Sequence, residues 1–284
     1  MKLIADSGAT GTDWAYIDDK NQVLQFRTSG INVSYLSEGE INKIITTEVI
    51  PVLKEHKIQS IPKIYFYGAG CSTLPKQTIM QKILRLISPN AAIIADHDML
   101  GAAISISQGD KMCVCILGTG SNSCIYDGKS IVKNILSLGY VLGDEGSGTY
   151  LGMKFIQNLL KGKTPKDLTE KFYAENQKTP SDIVYEMYQA PKMGAYFASY
   201  SHFLRENNNH PYIDNLLKDC FRDFFREQVF QFEEVQDYPI GFIGSIAYVF
   251  EKQLRAVGRE LNVNITTIIQ NPIEGLISYY QHHE

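Results

Sequence analysis

The chain has 284 residues, 44% of them hydrophobic, enough for two domains with buried cores. A formal net charge of -4 without a dense Lys/Arg run argues against nucleic acid or an anionic membrane as the main partner and favours a small molecule. No charged-then-apolar leader opens the sequence and no stretch nears the roughly 18 apolar residues of a span, so the cytoplasm is the expected location. The five cysteines, Cys71, Cys113, Cys115, Cys124 and Cys220, are odd in number, and most sit in or beside apolar runs, where thiols behave as small hydrophobes.

In chain order, residues 2–5, 13–18 and 23–28 read as a strand meander, followed by a helix over 38–56 with apolar residues at helical spacing. A strand over 64–67 runs into Gly68-Ala69-Gly70. A helix over 76–87 and a strand over 91–94 lead to Asp96-His97-Asp98 and a helix of small residues from Met99. A second meander begins at Met112. After it, Gly143-Asp144-Glu145-Gly146-Ser147-Gly148 opens a helix over 145–161. Residues 164–234 read as a helical insert whose aromatic face, 221–232, is core. Strands over 239–243 and 265–269 precede Gly244-Ser245 and Asn271-Pro272, and a last helix closes the chain. Strands alternating with helices make this an α/β protein.

Residues 3–18 and 113–128 are one device used twice: an apolar strand, a turn rich in Gly, Ser and Thr, and a returning strand. A shift of 110 places Gly8 on Gly118 and Tyr16 on Tyr126. Such turns aim N–H groups and hydroxyls at an anion without crowding it, and two of them suggest a nucleotide held between related domains. Asp6, Asp98 and Asp144 fall at strand ends or glycine turns, where carboxylates hold a metal or accept a proton. The combination points to phosphoryl transfer.

The motifs Gly118-Thr119-Gly120-Ser121-Asn122, Gly143-Asp144-Glu145-Gly146-Ser147 and His97-Asp98-Met99-Leu100-Gly101-Ala102 resemble those of the sugar kinase/heat-shock-ATPase/actin superfamily. Within it they are most similar to the BadF/BadG/BcrA/BcrD-type ATPase family, in its N-acetylglucosamine kinase-like branch. The resemblance is dense over 1–152, weak at 241–247 and 271–275, and absent between. It implies two ribonuclease-H-like (actin-like ATPase) domains around a central cleft, residues 1–110 plus 272–284 and residues 111–271, with the insert in the second. It also implies ATP and Mg²⁺, an amino sugar as acceptor, and a homodimer.

Residue by residue, the resemblance makes Asp98 the general base, with Asp96 its competitor, and Asp6 the carboxylate that holds Mg²⁺. Ser7, Gly8, Thr10 and Thr12, with Gly118, Thr119, Gly120 and Ser121, would contact the phosphates. Gly244 and Ser245, with Ala247, would lie at the adenosine. Asn32, Asn122 and Asp144 would bind the sugar, whose paired hydroxyls suit groups that donate and accept. Without that family, Asp98 and Asp144 read equally as helix N-caps and Asn32 as a loop residue. The chain departs from the family's Asp-Gly-Gly-Gly-Thr-basic pattern: Ser7, Ala9 and Gly11 stand at the differing places, so one cationic contact to the γ-phosphate is missing there. The activity expected is transfer from ATP to the 6-hydroxyl of an N-acetylhexosamine, N-acetylglucosamine or N-acetylmuramic acid, with domain closure excluding water. Two alternatives share the fold: a BadF-type ATPase that activates a radical enzyme, which needs a thiolate-held cluster, and a catalytically inactive sugar sensor.

Overall fold

The computed structural model describes residues 1–8 and 10–283; Ala9, one of the departures named above, lies outside the described residues. The chain divides into two compact units, Met1–Asp110 with Gly128–Ser130 and Asn271–Glu284, and Lys111–Asp127 with Ile131–Gln270.

The first unit opens with the meander β1 (Lys2–Ser7), β2 (Thr12–Ile17) and β3 (Val23–Thr28). Helices α1 (Glu38–Ile44) and α2 (Ile50–Glu55) follow, joined by a π-helical turn, Ile45–Val49. The sequence suggests one helix here, and Pro51 explains the break: with no N–H it cannot bond to the preceding turn, which widens. Next come β4 (Lys63–Gly68), α3 (Leu74–Leu84), β5 (Ala92–His97) and α4 (Asp98–Ser107). Strand β5 outlasts its apolar run because Asp96 and His97 still pair with Tyr67 and Gly68. The sheet order is β3-β2-β1-β4-β5, with β1, β4 and β5 parallel. Its centre is buried on both faces, hence the apolar runs Leu3-Ile4-Ala5 and Ile64-Tyr65-Phe66, whereas the edge strand β3 alternates exposed and half-buried residues. Trp14 stacks on Phe26 at 6.0 Å within a core that includes Leu3, Ala5, Phe66 and Ile83.

The second unit repeats the plan with β6 (Met112–Leu117), β7 (Ser121–Tyr126) and β8 (Ile131–Asn134), then the short α5 (Gly139–Leu142) and α6 (Gly148–Leu160). Helices α7 (Lys166–Asn176), α8 (Pro180–Gln189), α9 (Met193–Ser199), α10 (Ser201–Glu206) and α11 (Pro211–Glu227) form a helical block. Strand β9 (Ile240–Ile243), α12 (Ser245–Val249), α13 (Glu251–Glu260) and β10 (Ile265–Ile269) complete it, with sheet order β10-β9-β6-β7-β8. Phe155, Phe172, Phe203, Phe221, Phe224 and Phe242 fill its core. Two mixed five-stranded sheets in an α/β chain match the expected actin-like fold class.

Burial along β1 and β6 follows one pattern, and along β2 and β7 another, so the repeat is structural. The single shift of 110 needs correction. Ser7 pairs with Thr12 across the first turn, but Leu117 pairs with Ser121 across a turn one residue shorter. Tyr126 therefore corresponds to Ile17 and not to Tyr16, Asn122 to Asp13, and Ile116 to Asp6.

The last helix, α14 (Ile273–His283), belongs to the first unit. Lys2 Nζ donates to Tyr280 O, Ser105 Oγ to Pro272 O, and the Tyr67 and Tyr280 hydroxyls bond each other. Among the described residues no helix is long and apolar enough to cross a membrane.

Candidate active site

In the first unit the register aligns Arg27, Asp13, Asp6, Tyr67 and Asp96 as one row across β3, β2, β1, β4 and β5. Cross-strand partners share a face, so these side chains project together near the C-terminal ends of the parallel strands, where ligands of open α/β sheets bind. Asp98, the first residue of α4, is close enough for its charge to act on Asp6. Burial above all, then the charges of Asp98 and Asp13, push the Asp6 carboxyl up to about 8, against the lowering pull of Arg27. Burial also raises Asp98, opposed by His97 and by backbone N–H groups at the start of α4, Met99 N–H among them at 3.0 Å.

Asp98 is not the N-cap of α4. His97 is, with Nδ1 accepting Leu100 N–H at 3.3 Å, which leaves the Asp98 carboxylate inside the first turn, where the helix dipole favours its charge. Asp96 is more heavily engaged: its Oδ1 accepts His97 N–H at 2.8 Å and Gln77 Nε2 at 3.2 Å.

The first turn differs from its sequence reading. Ser7 and Thr12 are fully buried, their hydroxyls bond each other at 2.6 Å, Ser7 Oγ binds Ile31 O and N–H at 2.9 and 3.0 Å, and Thr12 donates to Ser29 O. Their side chains are therefore not phosphate donors; they knot the turn to the loop that carries Asn32. Gly8 N–H is spent on Gly11 O at 3.0 Å. Exposed Thr10 and the N–H of Gly11 remain. Asn32 Oδ1 accepts Ser34 N–H at 2.9 Å in an Asx turn, leaving its amide NH₂ for donation. Gly70, at φ +84°, backs this amide so closely that a Cβ would lie 2.5 Å from Asn32 Oδ1.

In the second unit the equivalent row is Ile269, Ile243, Ile116 and Asn122, three isoleucines and an amide where the first row is mostly charged. Half-buried Asn122 turns its Oδ1 to Ser123 N–H at 2.8 Å. Gly118 N–H bonds Gly120 O, and the Ser121 N–H goes to Asp144 Oδ1 at 3.2 Å. The Ser121 hydroxyl is buried with no partner in the protein, and its N–H is taken by Asp144; Thr119, exposed, and Gly120 keep their places on the turn. Asp144 sits at φ 59° against Gly120, its carboxyl raised by burial and by Glu145. It caps no helix: Ser147 caps α6, accepting Tyr150 N–H, and the next N–H groups of α6 donate to Gly118 O at 2.8 Å and Thr119 O at 3.1 Å. The helix N-terminus thus pins the turn, helped by Thr149 Oγ1 on Thr119 O at 2.7 Å. Glu145 Oε2 is buried without a partner. Gly244, at φ +121°, is required by the chain itself, since a Cβ would strike Leu117 O; exposed Ser245 begins α12.

Sequence reading missed Asp13, Arg27 and Gly70. Counting the hairpin register back from the Asp18–Gln22 turn pairs Asp13 with Arg27; for Gly70 no local signal exists, because its neighbour Asn32 comes from a distant loop. All five cysteines are buried and free, with Cys113 and Cys115 on β6 facing the core. A cavity of about 570 Å³ lined by Glu186, Tyr196 and Tyr200 lies in the helical block, and none of the candidate residues lines it.

No family model matches the chain, and no curated protein does. Among solved structures it is 38% identical to a proposed N-acetylglucosamine kinase from Porphyromonas gingivalis, with a TM-score of 0.94 over 100% of this chain and 99% of the other. A proposed N-acetylglucosamine kinase from Chromobacterium violaceum is 16% identical (TM-score 0.75, 98% and 99% covered). A ROK family glucokinase from Streptomyces griseus, solved with glucose and AMPPNP, is 14% identical (TM-score 0.61, 99% and 98% covered). The last two show the shared fold.

Proposed function

We propose, because the chain belongs to the N-acetylglucosamine kinase-like branch of the BadF/BadG/BcrA/BcrD-type ATPase family, that it phosphorylates the 6-hydroxyl of an N-acetylhexosamine. At the coarser level it is an ATP-dependent sugar kinase. The observation that carries the finer reading is Asp98: a carboxylate raised by burial, held by backbone N–H groups and less engaged than Asp96.

Asp98 accepts the hydroxyl proton as the sugar oxygen bonds to the γ-phosphorus; the bond to the β–γ bridging oxygen breaks and ADP leaves. A carboxylate raised above its free value is a stronger base, which suits an alcohol. Asn32 supplies an oriented NH₂, and Asp144, held by Ser121 N–H, supplies an acceptor for ring hydroxyls. Thr10 and Gly11 on one turn, and Thr119 and Gly120 on the other, donate to phosphate oxygens. Gly118 supports this assignment. It needs no left-handed backbone and nothing lies within 4 Å of where its Cβ would be, so the fold does not require glycine there, whereas a phosphate against the backbone would.

Mg²⁺ fits this donor set. Asp6 is raised by burial above all and then by the charges of Asp98 and Asp13, a repulsion that a cation relieves, and carboxylate oxygen is a hard ligand. Among the described residues no group of three ligating side chains could enclose a metal, in keeping with an ion that retains water and leans on phosphates. Asp6 would hold it; when bound, it neutralises charge on the β- and γ-phosphates.

The test is ADP release from Mg²⁺-ATP over glucose, glucosamine, N-acetylglucosamine, N-acetylmuramic acid and N-acetylmannosamine. Release should depend on an N-acetylated sugar and fall about a hundredfold or more in Asp98→Asn, but far less in Asp96→Asn. ADP release indifferent to every sugar sinks the reading.

A further inference from the structure

We infer that Arg27 is the cation of the phosphate site, reaching the terminal phosphate of ATP from the strand next to the first turn. The inference rests on the kinase reading above and adds a residue to it.

Neither repeated hairpin, residues 3–18 or 112–128, contains a Lys or Arg. The first instead carries Asp6 and Asp13 on one face, with Asp98 acting on Asp6. A triphosphate brought beside three carboxylates meets strong repulsion unless a fixed positive charge is present besides the metal. Arg27 is that charge. It stands opposite Asp13 in the β2–β3 register, on the face that carries Asp6, and its charge acts on Asp6.

Gly11 shows where the guanidinium lies. A Cβ built at position 11 would fall 2.5 Å from Arg27 Nη2, 2.7 Å from Nε and 2.8 Å from Cζ, so the guanidinium rests on the turn where a side chain at 11 would begin. Gly11 has no left-handed backbone, and its Cβ position meets only this guanidinium, the far end of a flexible side chain, so the contact marks where Arg27 lies. The place at which the sequence lacks a basic residue is filled by one from the adjacent strand.

The guanidinium is oriented and only partly spent. Asp13 grips Nη1 through both oxygens, at 2.6 and 2.7 Å. Among the described residues Nε and Nη2, the atoms over Gly11, have no acceptor. They form the planar two-donor edge that matches a phosphate. With 57% of its side chain exposed, Arg27 is open to a ligand, and its pairing with Asp13 contributes little to stability.

The experiment compares ATP and ADP affinities, by displacement of a fluorescent nucleotide, and ATP kinetics in wild type, Arg27→Ala, Arg27→Lys and the swap Gly11→Lys/Arg27→Ala. Arg27→Ala should weaken ATP about ten- to a hundredfold, the scale of a lost hydrogen bond to a charged group, while ADP changes less than about threefold. Arg27→Lys should keep part of the preference as a point charge, and the swap should recover at least about tenfold, since removing Arg27 clears the space above position 11. The inference is overturned if wild type binds ATP and ADP equally, if Arg27→Ala keeps the ATP preference, or if it loses both nucleotides together. Because the comparison needs no sugar, absence of sugar-dependent turnover would end the kinase reading and leave the Arg27 result to stand or fall separately.

Discussion

Gly118 and Gly244 each follow an apolar strand, and their surroundings give them opposite reasons to be glycine. A Cβ at 244 would strike Leu117 O from a backbone at φ +121°, whereas one at 118 meets nothing within 4 Å. Gly244→Ala should therefore lower the melting temperature by several degrees, consistent with a cost of about 1–3 kcal/mol for a strained backbone. Gly118→Ala should melt like wild type and raise KM for ATP. A Gly118→Ala protein with unchanged KM would remove the phosphate from that turn. Asp6 carries a second residue-scale prediction. Its carboxyl stands at about 8 in the folded chain and near 3.9 when unfolded, so between those values the folded state holds the extra proton. Without divalent cations, stability should fall as pH rises from about 4 to 8, and Asp6→Asn should flatten that slope. Added Mg²⁺ should raise the melting temperature more at pH 8 than at pH 6. A melting curve whose pH slope is the same in Asp6→Asn would contradict it.

At the scale of elements, the two hairpins show why one composition supports different roles. Ser7 and Thr12 read as ligand donors because hydroxyls beside a glycine turn often are, yet they bind each other and the Ser29–Ile31 loop. In the second hairpin the Ser121 and Ser123 hydroxyls have no partner, and the turn is pinned by α6 instead. Ser7→Ala should leave the buried N–H and C=O of Ile31 unpaired, costing about 1–3 kcal/mol, and should raise KM for the sugar through neighbouring Asn32 with little change in KM for ATP. An unchanged sugar KM in a folded Ser7→Ala protein would separate the knot from Asn32. The meanders and the strand that presents Asp98 were legible because apolar runs and glycine turns are local signals. The row from Arg27 to Asp96 was not, since it exists only once five strands have chosen their registers. Nor was the cap of α6, where Asp144 and Ser147 both qualify and only the left-handed backbone at Asp144 decides.

Across the whole molecule, one scaffold has been used twice and given unequal work. The same sheet row holds three carboxylates, a tyrosine and a guanidinium in the first unit and three isoleucines and an asparagine in the second. The helical block adds core to the second unit alone. The first unit is also discontinuous: its sheet is finished by Asp110, but α14, which takes the Lys2 ammonium on Tyr280 O and receives Ser105 on Pro272 O, comes from the far end of the chain. On a ribosome adding about 5–20 residues per second, the roughly 160 residues between those parts take on the order of 10–30 s to appear. For that interval the nascent first unit waits with the α14 face of its sheet uncovered, and its fold closes only when residues 271–284 join it.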